Sequence, residues 1–201
     1  MQEDKRVLKT KKNLKQTLIK MLAKKPFEKI SVKEICEVSQ TSRITFYAHY
    51  KDKYDLVDDI SKDMIKMAQD EYYRLQDENN VERDSITSYC NFLDCILNIY
   101  YNNLQLFSHT VPHENPYLNY SFYKYILKYL EIHAQKRSNT LKPKYGLKKT
   151  AAFLCYGFLE FINESNIENT PSQKVREEAR KLLENILKSE ILTENILKWI
   201  F

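Results

Sequence analysis

The chain has 201 residues, room for one large domain or two small ones, and 43% of them are hydrophobic, enough to build a core. Two glycines and five prolines are too few for a protein of many strands and turns, and favour long helices. The net charge of +5 is uneven: residues 1–53 carry 14 Lys and Arg against 6 Asp and Glu, and residues 54–201 carry 18 against 21. A basic head on a mildly acidic body is the footprint of a nucleic-acid reader with a separate second function. The plainer reading is a solvated, lysine-rich face on the first helix.

In chain order, residues 1–6 are charged and expected to fray. Residues 7–24 form the first helix, with Leu14, Leu18, Met21 and Leu22 at helical spacing and lysines on the other sides. Pro26 ends it and Phe27 drops into a small core. Ser31 and Glu34 make a capping box for a short helix whose apolar side is Ile35 and Val38. The polar run Ser39-Gln40-Thr41-Ser42 breaks that helix. Thr41 or Ser42 then caps a second short helix over 43–50. On it Phe46 and Tyr50 share an inward face, and Arg43 and Tyr47 share an outward one. Asp52 caps the next helix. Lys53 in its first turn opposes the helix dipole, a position that calls for an anion nearby. Two short helices joined by a tight turn are a helix-turn-helix, whose second helix enters the DNA major groove.

Residues 54–76 read as one helix leaving the head, with a stripe of Leu56, Val57, Ile60, Met64 and Met67. Residues 77–84 break it. Residues 85–108 are apolar over much of their circumference and hold one helix or two. A loop over 109–114 precedes Asn115-Pro116, an N-cap followed by proline at the first helical position. The tyrosine-rich helix 116–135 follows, then a basic connector over 136–144. Residues 145–166 contain the most apolar segment, 151–162, which must be buried on more than one side. Gly157 in its middle costs about 1 kcal/mol against alanine, so close approach of another helix is expected there. Thr170-Pro171-Ser172-Gln173 is a second capping box, and opens a helix with Val175, Ala179, Leu182, Leu183, Ile186 and Leu187 on one stripe. The tail 193–201, with the single Trp199, should dock on the body.

The segment ISVKEICEVSQTSRITFYAHYKDKYDL resembles the N-terminal DNA-binding domain of the TetR/AcrR repressors. The likeness rests on Ser31-Val32-x-Glu34-Ile35, Ser42-Arg43-x-Thr45-Phe46-Tyr47 and Tyr50-x-x-Lys53-x-x-Leu56. Three departures bear on the operator sequence rather than the fold. Ser39-Gln40 stands where the family has Ala-Gly, Ile44 where it has a small residue, and His49 where it has an aromatic. Gln40 therefore meets a positive-φ demand that glycine usually relieves. The resemblance implies an all-α protein in two parts, a helix-turn-helix DNA-binding domain over 1–53 and a helical effector-binding and dimerisation domain over 54–201. It also implies that Tyr47 and Lys53 bind phosphate. From chemistry, Arg43 is the choice for reading guanine, with a phosphate contact as its alternative. Ile44, Thr45 and Ala48 offer apolar contact to thymine methyls. Ser31 and Ser42 lie at helix N-termini facing phosphate, and His49 reaches the backbone or packs.

In the resembled family the last two long helices of two subunits form a four-helix bundle. Ala151, Leu154, Gly157, Phe158, Phe161, Leu182, Leu183 and Ile186 are the matching candidates for a dimer interface. Tyr100, Tyr120 and Tyr123 are the first guesses for an effector cavity with aromatic walls. Cys36, Cys90, Cys95 and Cys155 form no C-x-x-C and read as reduced core thiols, with a redox pair of Cys90 and Cys95 as the alternative. His109 and His113 have a metal-like spacing, but Pro112 lies between them and no third ligand follows, so no metal site is expected. No catalytic set or phosphate loop is present, so neither enzyme activity nor a cofactor is expected. The charged N-terminus and the lack of a long apolar run predict no signal peptide and no membrane span. The expectation is a cytoplasmic, homodimeric regulator of palindromic double-stranded DNA, read as a repressor, controlled by a small-molecule effector. The alternative is a body that binds a protein partner.

Overall fold

The computed structural model describes residues 5–107, 116–136, 141–189, 191 and 193–195. The helices are α1 (Lys5–Leu22), α2 (Val32–Val38), α3 (Arg43–Tyr47), α4 (Lys53–Asn79), α5 (Ser85–Asn102), α6 (Leu104–Phe107), α7 (Pro116–Lys136), α8 (Leu147–Ile167) and α9 (Ser172–Lys188). A short 3-10 turn, Phe27–Lys29, precedes α2. The all-α class expected from composition holds, with one addition. β1 (Leu141–Pro143) pairs antiparallel with β2 (Thr193–Asn195), Leu141 opposite Asn195 and Pro143 opposite Thr193. The start of the C-terminal tail is thus held by main-chain bonds; Trp199 lies outside the described residues, as do His109, His113 and Asn115. Among the described residues no helix is long and apolar enough to cross a membrane.

Packing divides the described residues into two compact units, one within Met1–Met64 and Asn102–Phe122, the other within Ile65–Tyr101 and Tyr123–Phe201. In the first unit, Leu14, Leu18 and Leu22 of α1 close over Phe27, Ile30, Ile35, Phe46 and Leu56, all essentially without exposure. Burial of side chains this size contributes about 1.5–3 kcal/mol each. Val38 points outward instead, because the buried face of α2 is Ile35, Cys36 and Ser39. Met67 is also exposed. Along α4 the buried residues Ile60, Met64, Ala68, Tyr72 and Gln76 are four apart. That spacing winds round the helix by about 40° per step and leaves Met67 behind.

The turn after α2 shows how the sequence meets an awkward backbone demand. The Thr41 N–H donates to the Cys36 carbonyl at 2.9 Å and the Gln40 N–H to that of Glu37 at 3.2 Å. This is a Schellman closure, which places Gln40 in the left-handed region at φ 52°. A side chain there costs about 1 kcal/mol that glycine avoids. Gln40→Gly is expected to raise the melting temperature by about 2–4 °C, measured by thermal denaturation.

The end of α8 closes in the same way, with the Thr170 N–H on the Ser165 carbonyl at 2.8 Å and Asn169 at φ 55°. This overturns the capping box expected at 170–173. The backbone of Thr170 is held by α8, Pro171 occupies the N-cap of α9, and no side chain caps that helix. Gln173 bonds Glu177 instead, at 2.8 Å.

In the second unit a buried amide ties the end of α4 to the start of α5: Asn80 Nδ2 donates to Gln76 Oε1 at 2.7 Å and to Ser88 Oγ at 2.9 Å. Arg180 of α9 pairs with Asp94 of α5, and Arg176 bonds Asn98 at 2.5 Å. Burial pushes the Cys90 thiol up to about 11 and the Cys95 thiol up to about 12, so neither is a ready thiolate. The apolar segment of α8 is buried on one side only. Ala151, Phe158 and Ile162 face the core, while Phe153 is 65% and Tyr156 51% exposed. A Cβ added at Gly157 would meet nothing within 4 Å. The helix expected to approach it is therefore not supplied by the described residues of this chain.

Candidate nucleic-acid interface

α3 is a five-residue helix fixed at both ends and along one face. At its start Ser42 Oγ accepts from the Thr45 N–H at 3.0 Å and shares a 2.8 Å bond with the Thr45 hydroxyl. Phe46 is fully buried, and Tyr50 just beyond the helix is nearly so. The Tyr50 hydroxyl donates to Asp59 at 2.8 Å, and Lys15 of α1 bridges Asp59 at 2.8 Å and Asp63 at 2.6 Å. Burial pushes the Asp59 carboxyl up, but the bonds from Lys15 and Tyr50 pull it further down, so it stays ionised. The helix is thus tied to α1 and α4 through its inner face, and its outer face is left to solvent.

That outer face is the one expected. Arg43, Ile44, Tyr47 and Ala48 are all exposed, with Thr45 and His49 half-buried beside them. At 85%, Ile44 is the most exposed large hydrophobic side chain among the described residues. A guanidinium, a phenol and two apolar groups stand together on one short helix, in the part of the sequence that carries the surplus of positive charge.

Ser31 forms the capping box expected of it, while Lys53 is turned inward rather than toward phosphate. The Ser31 hydroxyl accepts from the Glu34 N–H at 3.2 Å and donates to the Glu34 carboxylate at 3.0 Å. Lys25 also bonds Glu34, and these partners hold its carboxyl at about 2. The N-terminus of α2 is closed by its own carboxylate. A carboxyl held below its ordinary value of 4.5 stabilises the fold above that pH and loses the contribution as pH falls towards 2. Glu34→Gln should therefore lower the melting temperature at pH 7, and the gap from wild type should close near pH 2–3.

Lys53 is not an outward cation. Its Nζ donates to the carbonyls of Phe27 at 2.9 Å, Glu28 at 3.2 Å and Ile30 at 3.0 Å, and sits 4.4 Å from the centre of the Phe27 ring. Three donors meet three acceptors, which leaves none for phosphate. The anion that its place at a helix N-terminus called for is the Glu28 carboxylate, 3.7 Å from Nζ, backed by this ring of carbonyl dipoles. Around it lies an aromatic cluster that the sequence reading missed. Tyr117 of α7 packs on Tyr54 at 4.6 Å and on Phe27 at 6.0 Å. Tyr117 and Ser121 both donate to Asp58 of α4, at 3.2 and 2.8 Å. The tyrosine-rich start of α7 was the only signal.

The second unit holds a cavity of about 100 Å³ between α5, α7, α8 and α9. Phe92, Ile96, Ile126, Ala151, Leu154 and Phe158 are among its walls. None of the three tyrosines first expected there lines it. Tyr100 is buried and accepts from Asn166 at 2.7 Å, Tyr123 packs on Tyr156 at 4.6 Å, and Tyr120 is exposed in the first unit. The dimer candidates also divide. Ala151, Phe158 and Leu183 are core, and Leu154 lines the cavity. Phe161 and Ile186 are half-buried, and only Gly157 and Leu182 are exposed. Phe153 and Tyr156, which were not singled out, complete the exposed apolar face.

No family model matches the chain, and no curated protein matches it. Solved structures do. A protein of Syntrophomonas wolfei described as a TetR-family transcriptional regulator superposes with a TM-score of 0.69 at 13% identity, over 90% of this chain and 95% of that one. The dihydroxyacetone kinase operon activator DhaS gives 0.55 at 17%, over 92% and 98%. A protein of unknown function from Rhodococcus gives 0.50 at 12%, over 87% and 95%. The chain has the all-α fold of the TetR-type regulators.

Proposed function

We propose that the chain is a homodimeric, sequence-specific DNA-binding regulator, read as a repressor acting in the cytoplasm, with α3 as its recognition helix. The observation that carries this reading is the outward set Arg43, Ile44, Tyr47 and Ala48 on a helix locked from behind by Phe46 and Tyr50. The likeness in fold to a TetR-family regulator supports it. Arg43 supplies two coplanar donors for guanine O6 and N7. Ile44 and Ala48 meet thymine methyls, and Tyr47 meets phosphate. Dimerisation is supported by the face of Phe153, Tyr156, Gly157 and Leu182, where α8 and α9 leave apolar surface exposed among the described residues. Control by a small molecule held in the helical body is part of the same reading.

The test is selection of bound duplexes from a random library. An inverted repeat is expected, with half-sites about 34–36 Å or one helical turn apart. Failure to enrich any motif would remove the sequence-specific reading. On the selected duplex, Arg43→Ala should cost about 1–3 kcal/mol and relax preference at one base of each half-site, measured by anisotropy titration. Tyr47→Phe should weaken binding to all duplexes alike.

A further inference from the structure

We infer that Asn13 and Lys15 of α1 are positioning residues for base readout: they hold the two ends of α3 and so fix where Arg43 points. This deepens the proposed function, on which it rests. With five residues, α3 has too few hydrogen bonds of its own to keep a shape or a direction. What holds the chain just before and just after it sets its pose.

Before α3 comes the turn that starts at Ser39, the C-cap of α2. Asn13 Nδ2 donates to the Ser39 carbonyl at 2.8 Å. The Thr41 hydroxyl reaches the same oxygen at 3.4 Å, a longer and weaker bond. After α3 comes Tyr50. Its ring is buried, 5.8 Å from that of Phe46, and its hydroxyl donates to Asp59 at 2.8 Å. Asp59 and Asp63 lie one turn apart on α4, where like charges repel. The Lys15 ammonium sits between them, at 2.8 and 2.6 Å, and keeps Asp59 in place as the acceptor for Tyr50.

Asn13 and Lys15 flank Leu14, which is fully buried. At about 100° per residue they fall on opposite sides of the buried stripe of α1. The stripe packs into the core, and each flank reaches one end of α3. Phosphate contacts from long side chains tolerate a tilted helix, but a guanidinium that must lie in plane with guanine O6 and N7 does not. Such a constellation works only within about 0.5 Å and 10–20° of its productive geometry. Loosening either end of α3 therefore takes discrimination before it takes affinity for DNA in general.

The test uses Asn13→Ala and Tyr50→Phe in the full-length protein. The first removes the bond to Ser39 but gives α1 a better helix former, and the second removes only a hydroxyl, so both should fold. Each should lower the ratio of affinities for the selected and a scrambled duplex about 5–10-fold, with affinity for the scrambled duplex unchanged. Lys15→Met should do the same, and Lys15→Arg, whose fork can bridge both carboxylates, should keep the wild-type ratio. In Asn13→Ala the further loss on Arg43→Ala should be smaller than in wild type, because a displaced guanidinium has less to lose. The Phe46, Ala48 and Tyr50 amides, bonded within α3 and its last turn, should exchange about 5–10-fold faster in Asn13→Ala and Tyr50→Phe, with the slowest amides of α4 unchanged. An unchanged ratio in both variants, an equal fall on both duplexes, or strict additivity with Arg43→Ala overturns the inference even where wild-type discrimination is intact. A wild type that does not discriminate overturns the regulator reading instead. Faster exchange in the variants then upholds the hold of α1 on α3, and unchanged exchange overturns it, so the two failures are distinguishable.

Discussion

Lys53→Met is expected to lower stability by about 3 kcal/mol and to leave the salt dependence of DNA binding unchanged. The substitution keeps the stem that packs on Phe27 and removes the ammonium that ties the carbonyls of Phe27, Glu28 and Ile30 together. Bonds to a charged group contribute about 1.5–3 kcal/mol each. Their sum is not recovered in full, because the Glu28 carbonyl lies near solvent and rehydrates. The head loses the pin between the start of α4 and the segment that leads into α2. Urea unfolding measures the loss. The slope of log K against log salt separates this role from a phosphate contact, whose removal would reduce it by about one. A smaller slope with unchanged stability would return Lys53 to the DNA surface.

Tyr156→Glu is expected to separate the dimer and to cut affinity for a two-half-site duplex by about 10²–10⁴-fold, with single half-site affinity unchanged. Tyr156 stands 51% exposed on α8 beside Gly157, whose added Cβ would meet none of the described residues within 4 Å. A carboxylate there would be buried without a partner in any symmetric contact of this face with its copy. Sedimentation at micromolar concentration reads the dimer, and titration on whole and half operators reads the avidity. Phe158→Ala, one position past Gly157, should behave otherwise. It faces the core, so it costs about 3–5 kcal/mol of fold stability rather than dimer alone. Equal loss of dimer and fold in both variants would remove the exposed face as the interface.

The contrast between Tyr156 and Phe158 shows where sequence reasoning reached its limit. Periodicity tells which residues share a face of a helix. It does not tell whether that face meets the same chain, a second copy or water. The apolar segment of α8 therefore read as buried on more than one side, with Ala151 and Phe158 at an interface, when both belong to the chain's own core. The head was more legible because its determinants are local. The Ser31–Glu34 box, the Ser42 cap, the strained φ at Gln40 and the inward pair Phe46 and Tyr50 each depend on residues within a few positions. Lys53 was legible as an anomaly, a cation at a helix start, but its partners lie 23 to 26 residues away. Tyr117 lies 59 residues from Asp58. Long-range pairing of that kind has no spacing to read. The cavity likewise arises where four helices converge, so no single stretch announces it. The box at 170–173 failed for a different reason: one backbone N–H was claimed by the preceding helix.

The central claim is that α3 reads base sequence. It is tested most directly by anisotropy titration of the wild-type protein with the selected duplex and with a scrambled duplex of the same composition, at one salt concentration. A difference of about 10³-fold or more is expected, the margin that separates specific from non-specific binding. Equal affinity for the two duplexes would contradict it.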